Sequence, residues 1–137
     1  MRQLILLLTI LLAGCGTKTT DTISDSTVDS ETFDDFLKKF KSDSLFQIER
    51  VKFPLTLVTW DDDDKLTTEE IELESWRHLS FDKVVTGEID GYTRETKIYA
   101  DSAKIELRGV DNGIYVDYVF TKVDGQWRLT TKRDYSD

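Results

Sequence analysis

The sequence predicts an α+β fold in which N-terminal helices pack against a curved, mainly antiparallel sheet. Apolar side chains recur at helical spacing between residues 33 and 40. From Val51 the apolar residues alternate with polar ones, as they do in a half-buried strand. Asp-Gly and Asn-Gly pairs then separate alternating runs in the C-terminal half, and such pairs are typical of hairpin turns. Helices followed by successive hairpins indicate the α+β class.

Residues 1–14 have the layout of a secretory signal peptide, with a basic start, a short apolar core and a small-residue exit. The apolar run at residues 4–12 is shorter than the ~20 residues that a membrane-spanning helix needs. The exit sequence Leu12-Ala13-Gly14-Cys15 matches the lipobox of bacterial lipoproteins, in which the cysteine sulfur takes diacylglycerol before cleavage. We therefore predict that residues 1–14 are removed and that lipid on Cys15 attaches the protein to a membrane.

The residues after the cysteine indicate in which membrane, and on which side of it, the domain is expected. Gly16 stands where enteric bacteria use aspartate to retain a lipoprotein in the inner membrane, and no acidic residue occurs before Asp21. We therefore expect a cell-envelope protein in the outer membrane, with its domain on the periplasmic side. Residues 15–31 are mostly Thr, Ser and Asp, so they bury too little apolar surface to fold and should form a flexible tether. Residues 32–137 then form a single domain.

Composition disfavours several classes of function. The net charge is −9 at pH 7, which argues against nucleic acid because phosphate binding requires clustered lysine and arginine. With one cysteine and one histidine, His78, we expect no disulfide framework, metal site or cofactor. The run at residues 61–64 departs from a calcium-binding loop at Lys65 and Leu66. We expect it to be a solvated turn whose charges favour the N-terminus of a following helix.

The sequence predicts two helical elements followed by the first strand. Thr32 and Asp35 suit the N-terminal cap of the first helix, and residues 43–47 suit a short second helical turn. Pro54 cannot donate a ladder hydrogen bond, so its strand lies at a sheet edge or carries a bulge.

Residues 67–79 fit two structures. Thr67 and Glu70 suit the cap of a helix, whereas Ile71 and Leu73 alternate like a strand. We expect a short helix around Trp76.

The C-terminal half predicts an antiparallel meander with tight turns at Asp90-Gly91, Asn112-Gly113 and Asp124-Gly125. Tight turns at the last two positions place Phe120 opposite both Ile105 and Leu129. The face that these registers bury contains Ile105, Leu107, Val116, Tyr118, Phe120, Trp127 and Leu129. The opposite face carries alternating charges at Arg108, Asp117 and Lys132, and no Asp or Glu falls on the buried face.

This order of elements resembles the cone-shaped fold of nuclear-transport-factor-two-like proteins. Over residues 32–137 the chain is also similar to a family of small uncharacterised lipoproteins from gut anaerobes. The resemblance is carried by the runs Phe33-Asp-Asp-Phe36-Leu37-Lys-Lys-Phe40, Phe46-Gln47, Arg50-Val51-Lys-Phe53-Pro54-Leu55, Asp111-Asn112-Gly113-Ile114-Tyr115-Val116 and Gly125-Gln-Trp127-Arg-Leu129. It implies a fold and an envelope location, because the family has no assigned activity.

Proteins with the cone fold often hold a pocket between the sheet and the first helices, and some are isomerases or dehydratases that use a buried carboxylate, a tyrosine or an Asp–His pair. The predicted buried face lacks a carboxylate, so we expect a non-catalytic domain that binds a small ligand or an envelope protein. The candidate ligand-binding residues are Tyr118, Trp127 and Trp76. The alternative is an isomerase- or hydratase-like enzyme with a minimal site at Tyr118 and His78.

The outer face of the sheet is a second candidate for binding. A homodimer formed through this face is one expectation. Aromatic residues off the buried face would form a binding patch if several of them cluster. These residues are Trp60, Trp76, Tyr92, Tyr99 and Tyr115.

Overall fold

The computed structural model describes residues 31–81 and 91–137. Its elements are α1 (Phe33–Ser42), α2 (Ser44–Glu49), β1 (Val51–Trp60), β2 (Leu66–Ile71), a 3₁₀ turn (Leu73–Ser75), β3 (Tyr92–Ile98), β4 (Ser102–Gly109), β5 (Tyr115–Val123) and β6 (Gln126–Asp134). Helices packed on a curved sheet confirm the predicted α+β class. The predicted signal peptide, Cys15, the tether up to residue 30 and Asp90 lie outside the described residues. Within the described ranges no helix is long and apolar enough to cross a membrane.

Both helices begin at a side-chain cap, and the cap at Thr32 is the one that the sequence predicts. The Thr32 hydroxyl accepts a hydrogen bond from the Asp35 backbone N–H at 3.2 Å, which satisfies a free donor at the start of α1. The Asp43 carboxylate accepts from two backbone N–H groups at the start of α2, each at 3.0 Å. The phenylalanines at α1 positions 33, 36 and 40 share one face and are buried against the sheet.

The strands form one sheet in the order β2-β1-β6-β5-β4-β3. Neighbouring strands are antiparallel except β1 and β6, which are parallel. The sheet packs on α1 mainly through Phe120, whose ring lies edge-on to Phe36 and Phe40 at centroid distances of 5.7 and 5.5 Å. The predicted buried face of the meander is confirmed, since every member is buried.

The first hairpin confirms one sequence prediction and contradicts two. Pro54 is not in an edge strand, because β1 lies between β2 and β6, but a register shift between Val51 and Thr56 surrounds it, as the predicted alternative of a bulge requires. The expected helix around Trp76 is wrong, since residues 66–71 pair with β1 as a strand and only the 3₁₀ turn precedes Trp76. Residues 61–64 form the β1–β2 turn, so their charges precede a strand and not a helix.

The β4–β5 connection is longer than predicted. The Gly109 N–H donates to the Ile114 carbonyl at 2.7 Å, so residues 110–113 form the loop, and Asn112-Gly113 is not a two-residue turn. Ile105 therefore pairs with Tyr118 and not with Phe120. A register shift of two residues leaves every side chain on the same face, because side chains alternate with a period of two.

The β5–β6 hairpin contains a bulge that the sequence did not reveal. Its Asp124-Gly125 turn has positive φ at both residues, as predicted. Phe120 pairs with Leu129 but Val119 pairs with Thr131, which leaves an extra residue in β6 at position 130. This bulge reverses the faces of the strand beyond it.

Two predictions fail because of the bulge. Lys132 lies opposite Tyr118 on the buried face, and Arg133 takes the predicted place of Lys132 opposite Asp117. Asp134 lies opposite Val116, so a carboxylate does fall on the buried face.

Candidate functional site

A cavity of about 160 Å³ lies between the buried face of the sheet and residues 72–81, which we call the cover segment. Its walls come from β2, β5, β6 and the cover segment. The lining residues are Ile71, Ser75, Trp76, Arg77, Leu79, Tyr118 and Lys132. The position of the cavity therefore depends on the pairing of β1 with β2, on the bulge in β6 and on the path of the cover segment.

Gln47 fixes the cover segment to the helices. Its side chain is fully buried, and its Nε2 donates to the carbonyls of Phe40 at 2.7 Å and Leu79 at 3.0 Å. Its Oε1 accepts from the Leu79 N–H at 2.8 Å, so the amide satisfies both backbone groups of one residue. A buried amide with its hydrogen bonds made holds a segment in one position, because each lost partner would leave an unsatisfied polar group.

Further contacts hold the C-terminal part of the cover segment. His78 Nε2 lies 3.1 Å from the Lys41 carbonyl at the end of α1. Arg94 on β3 donates to the Phe81 carbonyl at 3.1 Å. These bonds place Trp76 over the cavity, where its ring lies edge-on to Phe53 at 5.7 Å.

Tyr118 forms the sheet side of the cavity. Burial, followed by the nearby charge of Asp134 and then by Tyr92, raises the pKa of its hydroxyl to about 12. The hydroxyl therefore stays protonated at neutral pH and can donate a hydrogen bond. The Phe81 ring lies edge-on to Tyr118 at 5.1 Å and fixes its orientation.

Lys132 and Asp134 form an ion pair beside Tyr118, with Nζ and Oδ2 2.7 Å apart. Burial alone would raise the pKa of Asp134, but hydrogen bonds from Lys132 and Ser136 outweigh it and lower the pKa. Asp134 is thus an ionised carboxylate that balances the ammonium group.

The polar groups around this cavity are mainly donors. Trp76 Nε1 is buried and has no hydrogen-bond partner among the described residues. An unsatisfied buried donor costs about 1–3 kcal/mol, so a ligand oxygen at this position would be favoured. Together with the Tyr118 hydroxyl and the Lys132 ammonium, Trp76 suits a ligand that carries acceptor oxygens. A general base, by contrast, needs a pKa near the working pH, and the pKa of Tyr118 lies far above it.

The structure brings together two of the predicted ligand-binding residues, Tyr118 and Trp76, and separates the others. Trp127 lies in the core, where its Nε1 donates to the Glu31 carbonyl at 3.0 Å. His78 is exposed and does not line the cavity. Lys132 was assigned to the wrong face because nothing in the sequence marks the bulge before it. In the parts of the chain that the structure describes, no cluster of His, Cys, Asp or Glu could hold a metal ion.

Comparisons with known proteins agree with this fold. An NTF2-like protein from Bacteroides fragilis is 26% identical with a TM-score of 0.61; the match covers 80% of this chain and 49% of that one. The chain thus spans about half the length of that protein. A protein from Bacteroides uniformis is 28% identical with a TM-score of 0.57, over 75% of this chain and 76% of that one. No curated protein matches the chain.

A family model settles the relationship. The model for DUF4348, a domain of unknown function, matches residues 19–134, which include every described strand and both helices. The chain therefore belongs to the DUF4348 family and has an NTF2-like α+β fold.

Proposed function

We propose that the protein is a lipid-anchored, non-catalytic binding protein of the bacterial cell envelope, which holds a small ligand beneath the cover segment. The observation that carries the binding site is the cavity lined by Trp76, Tyr118 and Lys132. The buried Trp76 Nε1, which lacks a hydrogen-bond partner among the described residues, supports it. The Leu12-Ala13-Gly14-Cys15 sequence supports the anchor. The residues after Cys15 support the periplasmic side of the outer membrane as the location.

The cavity limits the size of the ligand. A cavity of roughly 150 Å³ holds a molecule such as benzene, and this one measures about 160 Å³. The buried part of the ligand is therefore about as large as a six-membered ring. Ile71 and Leu79 supply apolar contact, while Tyr118, Trp76 and Lys132 supply donors. A compact molecule with a carbonyl or carboxylate oxygen fits this combination.

Native mass spectrometry of residues 31–137, produced in a related bacterium, tests the binding site. We expect retained mass that Tyr118→Phe and Trp76→Phe reduce, because each variant removes one donor and keeps an aromatic ring, although the phenyl ring is smaller than the indole. Tyr99→Phe is the matched control, since Tyr99 is 60% exposed and does not line the cavity. An apo mass for the unaltered domain under the same conditions would contradict the proposal.

Labelling with an alkynyl palmitate tests the anchor. We expect incorporation into the full chain and none into the Cys15→Ser variant, which has no other cysteine. Labelling of Cys15→Ser, or an unlabelled parent chain, would refute lipid attachment at this residue.

The enzyme alternative would require Tyr118 and His78 to act on one substrate. His78 faces the Lys41 carbonyl, so its ring is engaged with α1, whereas Tyr118 lies in the cavity. This separation favours the binding function. Turnover of a small substrate that is lost in Tyr118→Phe would reverse that preference.

A protein partner on the outer sheet face, including a second copy of the chain, stays a prediction. Sedimentation of residues 31–137 at high concentration measures self-association directly. A monomer at every concentration would exclude the homodimer.

A further inference from the structure

The outer face of the sheet carries an aromatic groove at the end where β1 and β6 finish and β5 begins. Its volume is about 750 Å³, which lies within the range of roughly 300–1,000 Å³ typical of small-molecule sites. The groove is distinct from the cavity beneath the cover segment, because the two share no lining residue. The residues that matter to its chemistry are Trp60, Asp64, Arg108, Tyr115, Tyr135 and Asp137.

Three aromatic rings form a continuous bent surface in this groove. Tyr135 lies between the other two, with ring centroids 5.7 Å from Trp60 and 5.8 Å from Tyr115. The rings are tilted by 49° and 45°, so they are not stacked flat on one another. Trp60 is 47% exposed and Tyr115 is 45% exposed. Large aromatic side chains clustered at the surface mark an interaction site.

This surface already accepts one cation from the protein itself. The Arg108 guanidinium lies over the Tyr115 ring, with Cζ 3.6 Å from the ring centroid. Its charge is balanced by the Asp117 carboxylate at 2.7 Å. Aromatic faces attract cations through the negative potential above the ring, and tryptophan and tyrosine do so strongly. The faces of Trp60 and Tyr135 offer the same chemistry to a ligand.

The charges lining the groove indicate which ligand fits. Asp64 and Asp137 both line it, and neither carboxylate has an ion-pair partner within residues 31–81 and 91–137. An anionic ligand would be repelled by these groups and by the net charge of −9. A purely apolar ligand would desolvate the carboxylates without pairing them. A cation with apolar bulk satisfies both the rings and the carboxylates.

We propose that the aromatic groove binds an organic cation through a quaternary or methylated ammonium group that contacts Trp60 and Tyr135 and is balanced by Asp64 and Asp137. The site is independent of the small-ligand site beneath the cover segment, since it lies on the opposite face of the sheet. Choline-like small molecules carry such a group.

Proton–nitrogen NMR of the purified full chain tests the proposal, because the three tryptophans report on three environments. Trp60 lies in the groove, Trp76 at the cavity and Trp127 in the core. Choline is the probe. Its uncharged isostere 3,3-dimethylbutan-1-ol is the control for apolar contact alone. We expect choline to shift the Trp60 indole signal saturably and to leave those of Trp76 and Trp127 unchanged.

The variants separate the two parts of the site. Trp60→Leu should weaken choline binding roughly tenfold, the size expected when one cation–π contact is lost, and Tyr135 backbone signals replace the indole as the readout. Asp64→Asn removes one charge and is suited to this position, because Asp64 has a φ of 57° that asparagine tolerates. It should weaken binding severalfold and reduce the salt dependence, while Asp137 keeps the remainder. Tyr99→Leu, an exposed aromatic outside the groove, should change nothing.

Four outcomes would overturn the proposal. The uncharged isostere could bind as tightly as choline, which would reduce the groove to an apolar surface. Choline could shift Trp76 and not Trp60, which would assign it to the cavity. The Trp60 signal could respond to protein concentration and not to choline, which would make the groove a self-association surface. A neutral oligosaccharide such as cellotetraose could shift Trp60 where choline does not, which would identify a carbohydrate site.

Discussion

The cavity and the aromatic groove lie on opposite faces of one sheet and differ in size and charge. The cavity measures about 160 Å³ and is lined by donors and by the cations Arg77 and Lys132. The groove measures about 750 Å³ and is lined by the carboxylates of Asp64 and Asp137, for which the described residues offer no ion-pair partner. Because side chains alternate along a strand, neighbouring residues can serve separate sites without sharing an atom. One small sheet can therefore carry two sites of opposite charge preference.

The largest expected effect is the loss of stability when the hydrogen bonds that hold the cover segment over the cavity are removed. Gln47→Leu removes hydrogen bonds to Phe40 and Leu79 and leaves their buried backbone groups unsatisfied. At about 1–3 kcal/mol for each such group, we expect the free energy of unfolding to fall by about 3 kcal/mol or more. Urea denaturation measures this loss.

The same variant should separate the two sites. Bound mass in the cavity should disappear because the cover segment loses its attachment, while the Trp60 response to choline should persist. Loss of both responses in a still-folded variant would contradict the independence of the sites. Gln47→Glu is a second variant of equal size that keeps an acceptor for the Leu79 N–H.

A smaller effect is expected from the ion pairs that cover the outer face of the sheet beside the groove. Glu106 pairs with Lys104 and with Lys97 at 2.9 Å, and hydrogen bonds from Lys104 and then Lys97 lower its pKa to about 2. A depressed folded-state pKa stabilises the fold above the unfolded-state pKa of about 4.5. That stabilisation is lost as the pH falls from about 4.5 to about 2.

The pH dependence gives the test of this network. We expect Glu106→Gln to be less stable than the parent chain at pH 7, and the difference to shrink as the pH falls through that window. Thermal unfolding between pH 7 and pH 2 measures it. A difference that stays constant with pH would show that the carboxylate charge is not the cause.

The smallest expected effect concerns the ion pair beside Tyr118. Lys132→Met removes the first stabilising hydrogen bond to Asp134, so the pKa of Asp134 should rise. The pair is partly exposed, with side-chain exposures of 25% and 29%, so the loss of stability should stay within about 1 kcal/mol. Carboxyl-carbon NMR titration measures the pKa directly. An unchanged Asp134 titration would show that Ser136 alone lowers it.

The parts of the fold that follow from local chemistry could be predicted from the sequence. Three predicted features depend on neighbours within a few residues, and each is confirmed: the cap at Thr32, the Phe33–Phe40 stripe and the Asp124-Gly125 turn. The short second helix predicted at residues 43–47 is confirmed as α2. The prediction of the meander's buried face is correct although one predicted turn is wrong, because the error in register was an even number of residues.

The candidate site could be predicted only in part, because it depends on contacts distant in sequence. Tyr118 was found from strand alternation, and Trp76 from its residue type. Lys132 and Asp134 were not placed on the buried face because the bulge at position 130 is set by tertiary packing, and no turn residue in the sequence indicates it. The groove was missed as a unit because Tyr135 meets Trp60 only through the parallel pairing of β1 with β6.

That parallel pairing has a consequence for how the chain folds. β6 is the last strand in sequence, yet it lies inside the sheet between β1 and β5. Val51 must find Leu129 across 78 residues, since 129 − 51 = 78. Contacts of such sequence separation slow folding, because a long loop must close before they form. During synthesis, part of the apolar surface of the helices and the first hairpin therefore stays uncovered until β6 is made.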